Sequence, residues 1–289
     1  MTYTARQYAK LWLGRSADFL FPAIRREMEE SRNLAHFSKV KSAILFARQK
    51  KAKSHGDPTE LARMLTWKWQ TGWGTKFHQD YSDERLAMFV TRQSYLIHSF
   101  RDLIARKNLE INRLVEIGCG DGRALDWCVG QLPMIDHFVG IDLNVPIIAE
   151  NRRRFGQDAR RNFVAGDAVD WLIANPVPGT AILTNGGVLE YFSPESLKRL
   201  FACLASQAPA AAVLIESRSL DHDLMADPTS HVFGPEDTFS HNYAAQLAAV
   251  GFEVDDSKTT TEASWMHWSL ILAHLSPTGP AHSSTETAR

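Results

Sequence analysis

Three alternating glycines and two flanking acids have the most specific spacing for chemistry in this sequence. The glycines lie in the segment EIGCGDG, at Gly118, Gly120 and Gly122. Glycine at such positions permits a positive φ and lets a ligand approach the backbone closely. Glu116 precedes the first glycine by two residues, and Asp142 follows the last by twenty. A carboxylate such as Asp142 can accept both hydroxyls of a ribose, so the segment predicts a nucleoside-containing ligand. On its own, the glycine turn would also fit a nicotinamide enzyme or a structural loop.

The elements that must position this turn come from an alternation of short apolar runs with helical patterns. The predicted parallel strands cover 114–117, 137–141, 162–165, 180–184 and 211–216, and the helices between them cover 123–131, 145–154 and 196–205. Such alternation produces βαβ crossovers and a sheet covered on both faces. Residues 252–254 and 267–275 predict a hairpin, with 255–265 as its connection. The expected fold class is α/β: a doubly wound, mostly parallel seven-stranded sheet with an antiparallel C-terminal hairpin.

The region before the sheet differs in both charge and pattern. Residues 1–113 hold 21 Lys and Arg against 11 Asp and Glu, whereas the whole chain has a net charge of −1. No strand pattern is clear before residue 110, so several helices are expected there. The predicted domains are an N-terminal helical substrate or lid region (1–110), a cofactor-binding domain (111–275) and a disordered tail (276–289).

In this context, with a strand before it and a helix after it, the turn resembles that of the class I S-adenosylmethionine (SAM)-dependent methyltransferases. The resemblance covers about residues 112–275 and follows GxGxG rather than the GxGxxG of dehydrogenases. It implies that the cofactor is SAM and that Glu116 orients the methionine portion. It further implies that Asp142 holds the ribose and Leu143 packs on the adenine.

The resemblance extends to the ends of the third and fourth strands. It implies that Asp167 accepts from the adenine amino group near Ala168, and that Thr184 and Asn185 lie near the sulfonium. The predicted cofactor-binding residues are Glu116, Gly118, Cys119, Gly120, Gly122, Asp142, Leu143, Asp167, Ala168, Thr184 and Asn185. The alternative for Asp142 and Asp167 is an N-cap role. For Cys119, a small filler is the preferred interpretation over a redox or nucleophilic one.

Candidate catalytic residues follow the fourth and fifth strands. Many small-molecule members of the family carry a histidine where this chain has Glu190, so Glu190 and Tyr191 are the leading candidates for proton acceptor or substrate orientation. His222 is a further candidate base. The alternatives are a helix-dipole role for Glu190 and a solvated loop position for His222. The fourth strand ends in Asn185-Gly186-Gly187, without the aspartate that would build a magnesium site there, so no metal is predicted.

Substrate choice is expected to depend on the first 110 residues. Trp67, Trp69 and Trp73 precede Phe77 and Tyr81 in a segment that suits a lid over a planar substrate, although helix packing is the alternative. Residues 39–53 carry six Lys and Arg and no acid. This run suits an anionic substrate, a membrane surface or a solvated face.

The preferred function is metal-independent methyl transfer to an oxygen or nitrogen of a small molecule from secondary or cell-envelope metabolism. The alternatives are a methyltransferase for protein, RNA or a lipid-linked glycan, and a non-catalytic SAM-binding subunit. DNA is not an expected partner; RNA and a membrane surface are less favoured than a small molecule, and a homodimer is compatible with the sequence. Three cysteines without CxxC spacing and no signal-peptide pattern favour the cytoplasm.

Overall fold

The computed structural model describes residues 4–24, 26, 38–263 and 266–277. Most of the tail predicted for 276–289, from residue 278 onward, lies outside the described residues. Within the described part, no helix is both long and apolar enough to cross a lipid bilayer.

A seven-stranded sheet forms the centre of the structure. Its strands are β1 (Arg113–Ile117), β2 (His137–Asp142), β3 (Arg161–Ala165), β4 (Thr180–Asn185), β5 (Ala210–Ser219), β8 (Glu253–Ala263) and β9 (Met266–Leu275). They lie in the order β3-β2-β1-β4-β5-β9-β8. The first five are parallel, and β9 pairs antiparallel with both β5 and β8. The predicted fold class is therefore confirmed.

Ten α-helices among the described residues surround this sheet. They are α1 (Ala5–Leu20), α2 (Lys39–His55), α3 (Pro58–Trp67), α4 (Gly72–Met88), α5 (Tyr95–Lys107), α6 (Arg123–Gln131), α7 (Val145–Phe155), α8 (Ala168–Ala174), α9 (Pro194–Ala205) and α10 (Tyr243–Ala249). A 3₁₀ turn, Lys68–Gln70, joins α3 to α4, and a π-helical stretch, Phe89–Gln93, joins α4 to α5. The expectation of helices before residue 110 agrees with α1–α5.

The C-terminal hairpin is longer than the sequence suggested. Residues 255–263, most of the expected connection 255–265, continue β8 instead. Three consecutive threonines, Thr259–Thr261, favour an extended chain that pairs with β9. A short second hairpin, β6 (His231–Phe233) with β7 (Thr238–Ser240), follows β5 and was not anticipated.

The ends of several helices follow from local residues. Asp57 accepts a hydrogen bond from the Glu60 amide and is followed by Pro58, which removes one unpaired N–H from the first turn. α2 begins at the Ser38 cap and ends at Gly56, whose left-handed conformation (φ 63°) closes the helix. α1 and α2 also approach very closely, because a Cβ on Gly14 would lie 2.0 Å from the Ala43 carbonyl oxygen.

Two apolar clusters, one on each face of the sheet, make up the main core. One contains Leu114, Leu183 and Val213 together with α5 and α6; the other contains Val115, Ile182 and residues of α8–α10. Strand residues thus alternate between the two faces. Phe100 of α5 is fully buried in the first cluster, so α5 packs directly on the sheet rather than on the preceding helices.

Replacing Phe100 with alanine is expected to lower the free energy of unfolding by about 3–5 kcal/mol, because the ring leaves a cavity in the sheet core. Chemical denaturation measures this loss. The control is Phe19→Ala in α1, whose side chain is 85% exposed and whose removal should cost less than about 0.5 kcal/mol. If Phe100→Ala lowered the free energy of unfolding no more than Phe19→Ala does, α5 would not be part of the sheet core.

Candidate functional site

The glycine turn joins β1 to α6 in a left-handed path. Gly118, Gly120 and Gly122 have φ values of 68°, 49° and 72°, as their spacing predicted. The amide of Gly120 donates to Asp142 Oδ2 at 2.9 Å, so the turn is fixed to the end of β2. A Cβ on Gly120 would lie 2.7 Å from the ring of His78, which leaves no room for a side chain at that position.

Asp142 and Asp167 have different structural roles. Asp142 does not cap α7; Asn144 does, and its own amide donates to Asp142 Oδ1 at 2.8 Å. Asp167 is the N-cap of α8, and both capping bonds, from the amides of Val169 and Asp170, go to its Oδ1. The N-cap alternative therefore describes Asp167 and not Asp142. The carboxylate of Asp142 is buried, whereas Asp167 is exposed.

Glu116 is a buried carboxyl group beneath the turn. Its side chain is 2% exposed, and its Oε2 accepts no hydrogen bond from any described residue. Burial, together with the nearby Asp121 and Asp142 carboxylates, raises the pKa of Glu116 well above its ordinary value, against an opposing effect of Arg85. An unpaired buried acceptor suits a ligand that brings a donor or a positive charge.

Helix α4 lies directly over the turn. His78, Ser82 and Arg85 line the cleft, and Ser82 donates to the Asp121 carboxylate. Arg85 donates to the carbonyl oxygen of Asn185 at 3.2 Å. The cavity that remains between α4 and the turn has a volume of about 30 Å³, which is room for about two water molecules.

Two asparagines complete the site, and sequence reasoning missed both. Asn144 donates to the carbonyl oxygens of Trp69 and Thr71 at 2.9 and 3.2 Å and accepts from Thr75 at 3.0 Å, so it fastens the start of α4 to the end of β2. Asn151 donates to the Gly120 carbonyl oxygen at 2.7 Å. No sequence signal identifies His78, Ser82 or Arg85 either, because nothing local indicates that α4 covers the turn.

The remaining predicted cofactor residues lie around the same cleft. Cys119 and Asn185 line it, Leu143 and Ala168 follow β2 and β3, and Thr184 is buried in β4. Burial and nearby carboxylates raise the pKa of the Cys119 thiol well above its ordinary value, which disfavours the thiolate form that a nucleophile needs. The geometry supports the small-filler interpretation of Cys119.

Two carboxyl groups, those of Glu190 and Glu216, lie at the segment that follows β4. Glu190 lies in the 3₁₀ turn Leu189–Tyr191, beside Gly187. Burial raises the pKa of Glu190 to about 7, although the Ser217 and Thr238 hydroxyls oppose the shift. Glu216, fully buried at the end of β5, accepts from the amides of Val188 and Leu189 at 3.0 and 2.9 Å, and burial raises its pKa to about 8.

Tyr191 belongs to a connected set of aromatic rings. Its ring centroid lies 5.4 Å from Trp69, which contacts Trp73 at 4.9 Å and Phe77 at 5.2 Å. Lys68 Nζ lies 5.5 Å from the Tyr191 ring centroid. The predicted clustering of Trp69, Trp73 and Phe77 is thus present, whereas Trp67 packs with Ile44 and Met64 in a separate apolar cluster.

His222 is not presented to this cleft. Its Nδ1 lies 2.9 Å from the Ser240 hydroxyl and its Nε2 lies 3.2 Å from the Asp227 carbonyl oxygen, so both ring nitrogens have partners. His222, Asp227 and His231 form the one group among the described residues whose ligand atoms, all within 4.8 Å of one another, could hold a metal ion. None of the three lines the cleft over the glycine turn.

Comparison with known proteins finds one domain model and distant structural similarities. A family model described as a methyltransferase domain matches residues 114–207. Magnesium protoporphyrin IX methyltransferase from Synechocystis PCC 6803, with bound S-adenosylhomocysteine (SAH), has a TM-score of 0.50 at 15% identity, over 74% of this chain and 99% of that one. A SAM-dependent methyltransferase from Clostridium acetobutylicum has a TM-score of 0.49 at 12% identity, over 70% and 99%. No curated protein matches the chain at a significant level.

The strand order, the antiparallel last pair and the glycine turn after β1 define a class I methyltransferase fold. Within this fold, residues 114–207 match a methyltransferase domain, and SAM is the cofactor to be tested against the site. The site fits this cofactor, because Glu116 offers a buried unpaired acceptor and the glycine turn offers a backbone without side chains.

The raised pKa of Glu216 predicts a pH-dependent stability. Between the ordinary value of about 4.5 and the folded value of about 8, the folded state holds a proton that the unfolded state has lost. Stability attributable to this group is therefore lost as the pH rises through that window. In the wild type, this group should lower the free energy of unfolding by on the order of a few kcal/mol between pH 5 and pH 9. The Glu216→Gln variant should not show this decrease.

Denaturation at a series of pH values measures this slope. The amide side chain of the Glu216→Gln variant keeps an oxygen for the amides of Val188 and Leu189, so the loop geometry is preserved. The control is Glu195→Gln at an exposed position in α9, which should keep the wild-type slope. An unchanged slope in Glu216→Gln would contradict the assignment.

Proposed function

We propose that this protein transfers the methyl group of SAM to an oxygen or nitrogen of a small molecule, without a metal, and that Glu190 accepts the proton. The observation that carries the proposal is a carboxyl group with a pKa of about 7 at the end of β4, next to Gly187 and the Tyr191 ring. A base is most effective when its pKa lies near the working pH.

Different residues of the chain are proposed to bind different parts of the cofactor. SAM, when bound, supplies an electrophilic methyl group on a sulfonium. Asp142 is proposed to accept the ribose hydroxyls, since its carboxylate is already held by the amides of Gly120 and Asn144. Leu143 and Ala168 are proposed to border the adenine, with Asp167 as acceptor for its amino group, and Thr184 and Asn185 to lie near the sulfonium.

The methionine portion of SAM is a zwitterion and needs both an anion and a cation. Glu116 is proposed to accept from its ammonium group, and Arg85 to donate to its carboxylate. A cavity of about 30 Å³ cannot contain SAM, so His78 and Arg85 must withdraw from the turn for the cofactor to enter. Helix α4 is accordingly proposed to act as a lid, as in other enzymes that exclude water from the reaction.

Glu190 is favoured over the two other candidate bases. Burial raises the pKa of Tyr191 well above its ordinary value, so this phenol holds its proton at neutral pH and is proposed to orient the acceptor. His222 has partners at both ring nitrogens. Burial also lowers the pKa of His222, which weakens it further as a base.

Ion pairs made by the basic helix α2 favour a small acceptor over a macromolecule. Lys50 and Lys53 of α2 both pair with Asp237, which is 1% exposed. Lys68 pairs with Glu236. Part of the positive charge expected to attract RNA or a membrane is therefore neutralised within the fold, and the rings around Tyr191 favour a planar acceptor.

Arg85→Met is expected to weaken SAH binding by about 10–100-fold, because a charge-assisted hydrogen bond contributes about 1.5–3 kcal/mol. Calorimetry with the full chain measures the change. Arg106→Met, at an exposed position on α5, is the control and should bind like the wild type. Tighter binding by Arg85→Met would show that Arg85 only obstructs the site.

Transfer of labelled methyl groups tests the function itself. The protein is incubated with methyl-labelled SAM and, separately, a small-metabolite extract, a protein fraction and an RNA fraction. Label is expected in the metabolite extract, and Glu190→Gln should reduce its rate by about 10²–10⁴-fold while SAH affinity stays unchanged.

Other distributions of label would contradict the proposal in separable ways. Label in protein or RNA alone would favour a macromolecular acceptor. Equal rates for Glu190→Gln and the wild type would remove the proton-acceptor role. SAH binding without transfer in any fraction would favour a non-catalytic subunit.

A further inference from the structure

A second cavity lies between the N-terminal helices and the β6–β7 turn. Its volume is about 260 Å³, against about 30 Å³ for the cleft over the glycine turn. Its polar and charged lining consists of Lys10, Ser42, Gln49, Lys50, Lys68 and Glu236. This cavity is termed the lysine pocket, and its size suits a molecule of one or two rings rather than a drug-sized ligand.

The three lysines of the pocket differ in their partners. Lys50 pairs with Asp237 and Lys68 with Glu236, both from the β6–β7 turn. Among the described residues, no carboxylate lies within ion-pairing distance of Lys10. The pocket therefore retains one positive charge that no described residue neutralises.

The charge of Lys10 is partly removed from water. Its side chain is half-buried, and its Nζ lies 5.0 Å from the centroid of the Phe46 ring, a cation–π contact that compensates part of the lost hydration. Burial lowers the pKa of Lys10, and repulsion by Arg6 lowers it further. An anion in the pocket would offset both effects, because opposite charges stabilise each other more strongly where water is partly excluded.

The rest of the lining is apolar and partly aromatic. Phe46 and Trp73 contribute rings, and Leu45, Met64 and Leu65 contribute aliphatic surface. A side chain such as Met64 adapts its shape to a bound molecule more readily than a branched one. This lining suits a planar apolar body rather than a sugar.

The pocket adjoins the proposed proton acceptor through two of its own residues. Lys68 Nζ lies 4.9 Å from the Trp73 ring centroid and 5.5 Å from that of Tyr191. Glu236 Oε2 lies 3.5 Å from the Tyr191 hydroxyl. Tyr191 is the chain neighbour of Glu190, so Lys68 and Glu236 link the pocket to the proposed catalytic segment.

We propose that the lysine pocket binds the methyl acceptor as a small monoanion with a planar apolar body, such as an aromatic carboxylate. The anionic group pairs with Lys10 Nζ, and the body lies among Phe46, Met64 and Trp73. This assignment rests on the proposed function, since it names the substrate class of that same site.

Calorimetry on the full chain tests the assignment with two matched pairs of probes: 2-naphthoate and 4-hydroxybenzoate, each against its carboxamide. The amides keep the ring and lose the charge. The acids are expected to bind the wild type at least about tenfold more tightly than the amides, the effect of one charge-assisted hydrogen bond. Lys10→Met should abolish this preference, and Lys10→Arg should retain it.

Lys51→Met, at an exposed position in α2, is the control and should retain the preference in full. Thermal melting checks that each variant is folded. Equal affinities of acids and amides for the wild type would overturn the proposal. So would an equal loss of preference in Lys10→Met and Lys51→Met, since the effect would then be one of general surface charge.

A final measurement separates this assignment from the proposed function. Bound acids are expected to compete with labelled methyl transfer to the metabolite extract, or to be methylated themselves. Acids that bind through Lys10 without affecting this transfer would overturn the assignment as acceptor pocket. Absence of transfer in any fraction, with the acid preference intact, would instead overturn the proposed function.

Discussion

Three carboxyl groups lie close together in the cofactor cleft, and their mutual repulsion must be offset by a positive charge. Glu116, Asp121 and Asp142 converge where β1 and β2 end, and the two aspartates make ionisation of the buried Glu116 harder. Arg85 supplies the positive charge, although burial lowers its own pKa. Arg85 thus adds a charge interaction to the hydrogen bonds by which Thr75 and Ser82 hold α4 over the glycine turn. A cofactor that brings its own ammonium and sulfonium charges can replace the cation, and exchange of one positive group for another is a less costly event than separation of charges in a buried site.

The same relation recurs at the other end of the N-terminal helices. Asp237 is fully buried at the tip of the β6–β7 turn, and Lys50 and Lys53 of α2 hold it. The ion pairs of Asp237 therefore hold α2 to the sheet domain, and Arg85 brings a second cation near the carboxyl groups at the glycine turn. The lysine pocket lies beside the Asp237 ion pairs, and the cofactor cleft lies beneath α4. Between them stand Trp69 and Tyr191, whose rings meet edge to face.

The sequence predicted those features that depend on contacts between residues close together in the chain. The sheet, the positive φ of the glycine turn and the place of Asp142 follow from residues within one strand–turn–helix unit, and these were predicted well. The Asp167 cap and the extension of β8 through Thr259–Thr261 were also local, but propensity alone did not decide between the alternatives. Arg85 and Asn144 were missed because their partners lie far away in sequence: Asn144, for example, binds the carbonyl oxygen of Trp69, 75 residues earlier. Lys10 was missed because the pocket that it lines is formed by distant parts of the chain. The pattern of the helices before residue 110 carries no information about which strand ends they cover.

The buried carboxylate of Asp237 has a consequence for how this protein can diversify. Its two cations come from α2, while the turn that presents it is inserted after β5, 187 residues beyond Lys50 in the chain. Exchange of the N-terminal helices alone with those of a relative would leave a buried anion without its counter-charges. Recombination must therefore carry both segments together, or lose both. The lysine pocket is lined in part from these same two segments, so the proposed acceptor specificity depends on a discontinuous pair of sequence blocks, α2 and the β6–β7 turn, rather than on the sheet that lies between them.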